Sequence, residues 1–201
     1  MSTIVLASNN PGKVAELQSL LADMQGVRIL TPADLGLELE VVEDGSSYAE
    51  NAAKKALAFA EASGLMCLAD DSGLEVEALN DAPGIYSARY APNEEADDAD
   101  RRAYLLKQLK GKAEPWKAVF RSTVCLATAE GKLHYAEGEC VGRIIPNERG
   151  DGGFGYDPIF MLEGEKRTMA ELESDEKNRL SHRAGAIVAM KAILESLLST
   201  D

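Results

Sequence analysis

The chain has 201 residues, of which 45% are hydrophobic, so a packed core can form and intrinsic disorder is not expected. The formal net charge of −13 argues against a general nucleic-acid surface or an anionic-membrane surface, because both require a basic patch. No apolar run approaches the ~20 residues of a membrane span, and residues 1–7 are too few and lack the basic residues of a signal peptide.

The first part of the chain predicts alternating strands and helices, the pattern of an α/β fold. A short apolar run at residues 3–7 predicts a buried strand. Asn10 and Pro11 suit the cap and the first turn of the helix that follows, which places the polar loop 8–13 at a helix N-terminus. Residues 27–30 are a weaker strand prediction.

A second helix is predicted to begin at the capping box Ser47-x-x-Glu50 and to run to about Ser63. Gly64 suits its C-terminal end. Within this helix, the spacing of Glu50 and Lys54 predicts an ordinary i,i+4 ion pair.

A buried strand at 65–69 is predicted to deliver Asp70 and Asp71 at its C-terminal end, and residues 74–79 are a further strand candidate. Two long strands, 116–128 and 132–145, are predicted to pair as an antiparallel hairpin. The other predicted elements are a helix at 97–110, a glycine-rich loop at 150–155, a brief strand at 159–162, and helices at 174–178 and 181–198. The pattern predicts one α/β unit with a projecting hairpin lobe.

The three cysteines, Cys67, Cys125 and Cys140, share no close spacing. Cys67 and Cys125 lie in apolar runs, so buried and reduced thiols are predicted. An odd count without a C-x-x-C pattern fits a reducing compartment, and a cytoplasmic location is therefore expected.

The loop at 8–13 combines a hydroxyl, two amides, backbone N–H groups and an ammonium at a helix start, which attracts phosphate. The Walker A pattern is absent, so a plainly capped helix is the alternative. Lys55 lies one helical turn from Asn51 and could reach a phosphate, although a lysine in this position is otherwise a surface residue. The loop residues are Ser8, Asn9, Asn10, Pro11, Gly12 and Lys13.

Asp70 and Asp71 are adjacent carboxylates, which repel each other and call for a cation. Oxygen ligands with a phosphate nearby suit Mg²⁺ better than zinc. Glu43 and Asp44 precede a glycine turn and could supply a further ligand. A solvated acidic turn is the alternative for either pair.

Phe154 lies among four glycines, so it has few local side chains on which to pack. An aromatic ring in such a loop can stack on a flat ligand, and burial in the core is the alternative. Further polar donors lie near the start of the last predicted helix: Lys177, Ser181, His182 and Arg183.

Taken together, these segments resemble the inosine/xanthosine triphosphate pyrophosphatase family, in the family's order and over nearly the whole chain. The matching segments are 8–13 with Glu16, 50–52 with 55–56, 70–74, 83–90, 153–160, and 176–177 with 181–183. One departure is Tyr48, where the family usually has phenylalanine. The ring is retained, so we expect the change to be tolerated.

The resemblance implies an ITPase-like, Maf-related architecture: a mixed central β-sheet flanked by helices, with an antiparallel hairpin lobe. Residues 1–201 would form a single domain of two lobes, with the active-site cleft between them. The implied activity is hydrolysis of ITP, dITP, XTP and dXTP to the monophosphate and pyrophosphate with Mg²⁺, which clears deaminated purines from the nucleotide pool. A homodimer is also expected, and neither nucleic acid nor membrane is an expected partner.

By the same resemblance, Asp71 accepts the proton of the attacking water and lies near the metal, with Glu43 and Asp70 as metal ligands, directly or through water. Lys13 and Lys55 hold phosphates together with the backbone of the first loop, and Ser72 contacts the ligand beside the metal. The base stacks on Phe154, and the other implied substrate-binding residues are Gly155, Tyr156, Asp157, Lys177, His182 and Arg183.

Donors at the 6-position of the base would accept hypoxanthine and xanthine and reject adenine, since adenine's amino group would face them unpaired. GTP is also 6-oxo, so its rejection has to act at the 2-position, and the sequence does not show through which residue. Two alternatives remain open at this point. One is a nucleotide-binding module without turnover, and the other is a Maf-type pyrophosphatase that acts on other modified nucleotides.

Overall fold

The computed structural model describes residues 2–93 and 95–199, which contain six strands and five α-helices. Met1, the first residue of the segment tested for a signal peptide, lies outside the described residues, as do Glu94, Thr200 and Asp201. The strands are β1 (Ser2–Leu6), β2 (Val27–Leu30), β3 (Met66–Val76), β4 (Trp116–Ala127), β5 (Leu133–Ile144) and β6 (Phe160–Leu162). The helices are α1 (Pro11–Leu21), α2 (Tyr48–Ser63), α3 (Asp98–Leu109), α4 (Ser174–Leu180) and α5 (His182–Leu198).

The strands form one sheet in the order β2-β1-β3-β4-β5-β6. β1 pairs in parallel with both β2 and β3, for example at Val5 and Cys67, whereas β5 and β6 are antiparallel. A turn closed by the Thr128 N–H and the Lys132 carbonyl, 2.9 Å apart, joins β4 to β5, and so short a connection can only join antiparallel neighbours. The predicted mixed α/β sheet and its hairpin are therefore confirmed.

The chain divides into two compact units, each built from separate segments. Unit 1 comprises Met1–Asp71, Ser122–Gly138 and His182–Asp201, and unit 2 comprises Ser72–Arg121 and Glu139–Ser181. Strands β3, β4 and β5 each contribute residues to both units. That the units form a single functional domain, as expected from the sequence, stays a prediction.

The core of unit 1 has two layers, because successive residues of β1 point to opposite faces of the sheet. Ile4 and Leu6 pack in one cluster with residues of α1 and α5, including Leu17, Ile187 and Met190. The alternate residues of β1, Val5 and Ala7, pack instead with α2. Helices thus cover both faces of the parallel part of the sheet, as such sheets require.

Unit 2 has a core of its own, in which α3 packs against the sheet through Leu105 and Leu109. Phe120 of β4 and Phe160 of β6 meet there with their ring centres 4.5 Å apart. Cys140 is buried in this core, and Cys67 and Cys125 are buried in unit 1, so the predicted buried, free thiols are confirmed. Burial raises the pKa of Cys125 and of Cys140 to about 11, which keeps both thiols protonated at neutral pH.

Two local predictions were wrong. The acidic segment 70–73 does not follow a strand but lies within β3, which continues to Val76 before a short 3₁₀ turn replaces the rest of the predicted strand at 74–79. The expected ion pair of Glu50 with Lys54 is replaced by two other contacts. Glu50 accepts hydrogen bonds from Ser46, whereas Lys54 forms an ion pair with Asp44. Among the described residues, no helix is long and apolar enough to cross a membrane.

The start of α5 packs directly on the backbone of β5 at Gly138. An added Cβ there would lie 2.2 Å from the His182 carbonyl oxygen and 2.4 Å from the Ala186 nitrogen, so the helix would have to move. We expect Gly138→Ala to lower the free energy of unfolding by about 1–3 kcal/mol, the usual cost of overpacking, measured by urea denaturation.

Gly185 provides the matched control, because it faces Gly138 from within α5. A Cβ there would meet only the Cα of Gly138, at an ordinary 3.5 Å. Gly185→Ala should therefore raise stability by up to about 1 kcal/mol through helix propensity. Equal effects of the two substitutions would show that the close approach at Gly138 does not constrain the packing.

Candidate active site

The first predicted loop lies, as expected, at the N-terminus of α1. Asn10 caps the helix by accepting a hydrogen bond from the Lys13 N–H at 3.0 Å, and the Ser8 hydroxyl accepts one from the Asn10 N–H at 3.2 Å. The Asn9 amide donates to the Leu39 carbonyl at 3.0 Å, which ties the loop to the segment before α2. The predicted cap and Pro11 at the helix start are confirmed, and the loop has a fixed shape.

Asp70 lies at the centre of a buried cluster of charges in unit 1. Its Oδ2 accepts from Lys13 Nζ at 2.8 Å and from Arg183 Nη2 at 3.2 Å, and its Oδ1 accepts from the Ser122 hydroxyl. Arg183, which is 1% exposed, also donates to Glu16. Both carboxylate oxygens of Asp70 are thus engaged by donors from three other parts of the chain.

Two cations determine the protonation of this cluster. Burial opposes the charged form of Asp70, but Arg183 and Lys13 hold the pKa of its carboxyl well below the usual range. Burial lowers the pKa of the Lys13 ammonium, against the opposing effect of Asp70. Asp70 therefore remains a carboxylate at neutral pH, and it serves as the counter-ion of two cations.

Asp71, the next residue of β3, has a different environment. Its Oδ2 accepts from the Asn51 side-chain amide at 3.1 Å, and its Oδ1 lies 3.8 Å from Lys55 Nζ. Burial raises the pKa of Asp71, and Glu43 adds to this, whereas Lys55 and Lys13 oppose it. Of the two adjacent carboxylates, Asp71 is therefore the more basic one, as a general base requires.

The Lys55 ammonium joins the acidic groups of the site. It donates to Glu43 Oε1 at 2.9 Å and to the Asp70 carbonyl at 2.8 Å. The carboxylates of Glu43 and Asp71 thus face the same cation. The buried position of Lys55 excludes the alternative of an ordinary surface lysine.

Asn51 is a further residue of this site, and only its spacing from Lys55 was noted in the sequence. Its side-chain oxygen accepts from the Gly45 N–H at 2.8 Å, so the fully buried amide links Asp71 to the loop that carries Glu43. A Cβ at Gly45 would lie 2.6 Å from that oxygen, which explains the glycine. Asn51 therefore positions the Asp71 carboxylate and holds the backbone of the loop that carries Glu43.

Two of the acidic groups, Asp71 and Glu43, fit a site for Mg²⁺. Within residues 2–93 and 95–199, no group of three or more His, Cys, Asp or Glu side chains is arranged to hold a metal ion. Asp71 and Glu43 converge on one cationic position, and Mg²⁺ is commonly held by one or two carboxylates together with substrate phosphates. These two residues fit such an ion, whereas the oxygens of Asp70 are already bound by Lys13, Arg183 and Ser122.

Unit 2 contains the aromatic residue predicted to stack on a base. Phe154 is half-buried, and Lys177 Nζ lies 4.6 Å from its ring centre. Asp157 Oδ2 accepts from the Phe154 N–H at 2.9 Å and from Lys177 Nζ at 2.7 Å. A Cβ at Gly153 would lie only 2.1 Å from that oxygen, so this loop requires glycine there. Phe154 is thus fixed beside a buried ion pair and is not part of the core.

Tyr156 has a structural position. Its ring is buried in the core of unit 2, and its hydroxyl donates to the Ser87 carbonyl at 2.9 Å. Burial raises the pKa of this phenol. Tyr156 therefore anchors the loop that contains Phe154.

The predicted site residues divide between the two units. Unit 1 contains the first loop, Glu43, Lys55, Asp70, Asp71, His182 and Arg183, and unit 2 contains Ser72, Phe154, Gly155, Tyr156, Asp157 and Lys177. The sequence did not indicate that Ser122 and Glu16 belong to the buried cluster of charges around Asp70. No local signal marks Ser122, which only the sheet brings to Asp70, whereas Glu16 was part of the matched first segment.

Comparison with known proteins shows the family of this chain. The family model described as "Ham1 family" matches residues 4–193. The chain belongs to the Ham1 family. The chain is 47% identical over 195 residues to a protein of Desulforamulus reducens and 41% identical over 197 residues to one of Bacillus subtilis. Both are named dITP/XTP pyrophosphatase, and the alignments cover 96% and 98%, respectively, of each chain.

Solved structures of Ham1 proteins have the same fold. The structure of a HAM1 protein from Coxiella burnetii is 39% identical and superposes with a TM-score of 0.87 over 98% of this chain and 100% of its own. The family resemblance and the mixed α/β architecture predicted from the sequence are thereby confirmed.

Proposed function

We propose that this Ham1-family chain is a pyrophosphatase that hydrolyses ITP, dITP, XTP and dXTP to the nucleoside monophosphate and pyrophosphate. The names of its relatives support the substrate class. The observation that carries the proposal is the pair Asp70 and Asp71, adjacent in β3 but opposite in character: one neutralises two buried cations, and the other has a raised pKa. A module that only bound nucleotides would not need a basic carboxylate.

In the proposed reaction, water attacks the α-phosphorus and pyrophosphate leaves, so catalysis depends on positioning and on charge stabilisation. Asp71 accepts the proton of the attacking water, and Asn51 fixes the carboxylate that does so. Lys13 and Lys55 bind the phosphates together with backbone groups of the first loop, from Ser8 onward. Both ammonium groups lie within 4 Å of a carboxylate of the Asp70–Asp71 pair, so they are held in place before substrate arrives.

Asp71 and Glu43 would hold Mg²⁺, which when bound neutralises charge on the leaving pyrophosphate. We assign Asp70 a different part, because Lys13, Arg183 and Ser122 already engage its oxygens. It keeps the phosphate-binding Lys13 charged and oriented. Ser72, which follows the pair in β3, is proposed to contact the ligand beside the metal.

The base is proposed to stack on Phe154, with Asp157, Lys177, His182 and Arg183 at its edge. The position of the Lys177 ammonium, 4.6 Å from the ring centre of Phe154, supports a role for this donor in binding the base. Gly155 and Tyr156 shape the same loop. A charged donor would bind the 6-oxo group of hypoxanthine or xanthine and would be left facing adenine's amino group in ATP, at a cost of about 1–3 kcal/mol or more.

We also propose a homodimer in the cytoplasm. The family resemblance supports the dimer, and the three buried, protonated thiols are consistent with a reducing compartment. A monomer mass from light scattering after size-exclusion chromatography would contradict the dimer.

The test of the activity is hydrolysis of ITP, XTP, GTP, ATP and dTTP with Mg²⁺, with and without EDTA, in an assay that resolves pyrophosphate from orthophosphate. We expect fast, metal-dependent release of pyrophosphate from ITP and XTP, with GTP and ATP far slower. Preferred hydrolysis of dTTP would favour the Maf-type alternative. ITP binding without turnover would favour a non-catalytic module, and release of orthophosphate would contradict the proposed bond cleavage.

A further inference from the structure

Helix α3 holds the peptide groups on both sides of Gly155. The Gly155 N–H donates to Asp98 Oδ2 at 2.7 Å, and the Gly155 carbonyl accepts from Arg102 Nη1 at 2.9 Å. Asp98 and Arg102 are four residues apart in the helix, so they project from the same face. One helix thus binds both polar backbone groups of a single loop residue.

Arg102 also links Gly155 to Glu148, which precedes the glycine-rich loop. Its Nε and Nη2 donate to the two oxygens of Glu148 at 2.9 and 3.0 Å, in the bidentate geometry typical of arginine and carboxylate, while Nη1 remains on Gly155. The Arg102 side chain is only 12% exposed, so water competes little for these bonds. Arg102 therefore holds Gly155, the last residue of the glycine-rich loop, and also the segment that precedes this loop.

These bonds fix the backbone on both sides of Phe154. The Gly155 N–H belongs to the peptide group that follows Phe154, and it is held by Asp98. The N–H of Phe154 itself belongs to the preceding peptide group, and it is held by Asp157 at 2.9 Å. Gly155 has a φ of 61°, a left-handed conformation that glycine adopts about as readily as others, so the hydrogen bonds from α3 select it among the alternatives. The direction of the Phe154 ring thus depends on contacts made by α3.

We propose that Asp98 and Arg102 are positioning residues that hold the Phe154 ring ready for the base and so determine base affinity. The inference rests on the proposed function, because it assumes that Phe154 stacks on the base. A ring held in place before binding loses less conformational freedom when the base arrives, which is the general advantage of preorganisation. Neither residue contacts the reacting atoms, so their loss should act on binding and not on chemistry.

The first test replaces Arg102 with methionine, which keeps the length of the stem but removes the donors. We expect the KM for ITP to rise about tenfold, with kcat within about twofold of wild type, because part of a base–aromatic stacking contact is lost. The dissociation constant for IMP, measured by calorimetry in EDTA, should rise by the same factor. Unchanged KM and IMP affinity would overturn the proposal.

Glu148→Gln is the matched control, since it removes the ion pair of Arg102 but leaves the donation to Gly155. It should retain the wild-type KM, and a tenfold rise there would assign the effect to the ion pair and overturn the proposed hold on Gly155.

A second pair of variants tests the other half of the contact and covers the case in which Arg102→Met does not fold. Asp98→Ala removes the acceptor of the Gly155 N–H and should raise the KM for ITP. Asp98→Asn keeps an acceptor oxygen and should have the wild-type KM. Equal KM values for these two variants would contradict the proposal. Failure of the proposed function itself is distinguishable, because the wild-type chain would then neither release pyrophosphate from ITP nor bind IMP.

Discussion

Replacing Asp71 with asparagine is expected to slow pyrophosphate release from ITP by about 10²- to 10⁴-fold, the usual contribution of a general base. The amide keeps the shape of the side chain but cannot accept the proton of the attacking water. Since Lys13, Lys55 and the loop around Phe154 remain, the affinity for ITP measured without Mg²⁺ should change little. Steady-state assays at saturating Mg²⁺ measure the rate, and calorimetry measures the affinity.

Asp23→Asn is the control for the change of charge, because Asp23 pairs with Lys191 on the exposed surface of unit 1. Its rate should equal that of wild type. A general base contributes at least about 10²-fold to the rate. If Asp71→Asn retained more than about a tenth of the wild-type rate, Asp71 would therefore not be the proton acceptor. A loss of ITP binding in parallel with the rate would instead indicate that Asp71 acts mainly in binding.

Asp70→Asn is expected to lower the free energy of unfolding by about 3–5 kcal/mol, because it leaves Lys13 and Arg183 buried without their shared carboxylate. For a chain of this length, such a loss corresponds to a fall in Tm of roughly 6–20 °C. Urea denaturation without metal or nucleotide measures the effect apart from catalysis. A loss below about 1 kcal/mol, the value typical of an exposed ion pair, would show that the cluster is not a buried network.

The difference in unfolding free energy between wild type and Asp70→Asn depends on pH, and the direction follows from the pKa shift of the Asp70 carboxyl. Because the pKa of Asp70 is depressed in the folded protein, its contribution to stability is present above the unfolded value of about 3.9 and is lost as the pH falls below it. The stability difference between wild type and Asp70→Asn should therefore narrow below about pH 4. A difference that did not narrow there would contradict the assignment of a depressed pKa to Asp70.

Much of the fold could be predicted because its local signals agree with its packing. Asn10 with Pro11, and Ser47 with Gly64, mark the ends of α1 and α2 as the sequence indicates. The hairpin of β4 and β5 is equally clear from its strand-forming residues and its turn. Helix caps and hairpin turns depend on residues that are close in sequence, so they can be predicted before any tertiary contact is known.

The site was harder to predict where its residues contradict local rules. Aspartate and glycine are depleted in strands, so the strand was predicted to end before residue 70, yet residues 70–73 continue β3. Burial of Asp70 becomes possible only when Lys13, Ser122 and Arg183, from three distant parts of the chain, meet its oxygens. No pattern in the sequence expresses those distances. The chemical types of the site residues were therefore predictable, whereas the engagement of both Asp70 oxygens by Lys13, Arg183 and Ser122 was not.

The arrangement of unit 1 has a consequence for the order in which the protein can fold. Ile4 and Leu6 lie in the same core cluster as Ile187, Met190 and Leu194 of α5, and Arg183 of that helix neutralises Asp70. During synthesis on the ribosome, the first strand emerges long before the helix that covers it. The nascent chain must therefore keep this apolar face from aggregating until α5 has been made, and only then can the charged cluster close.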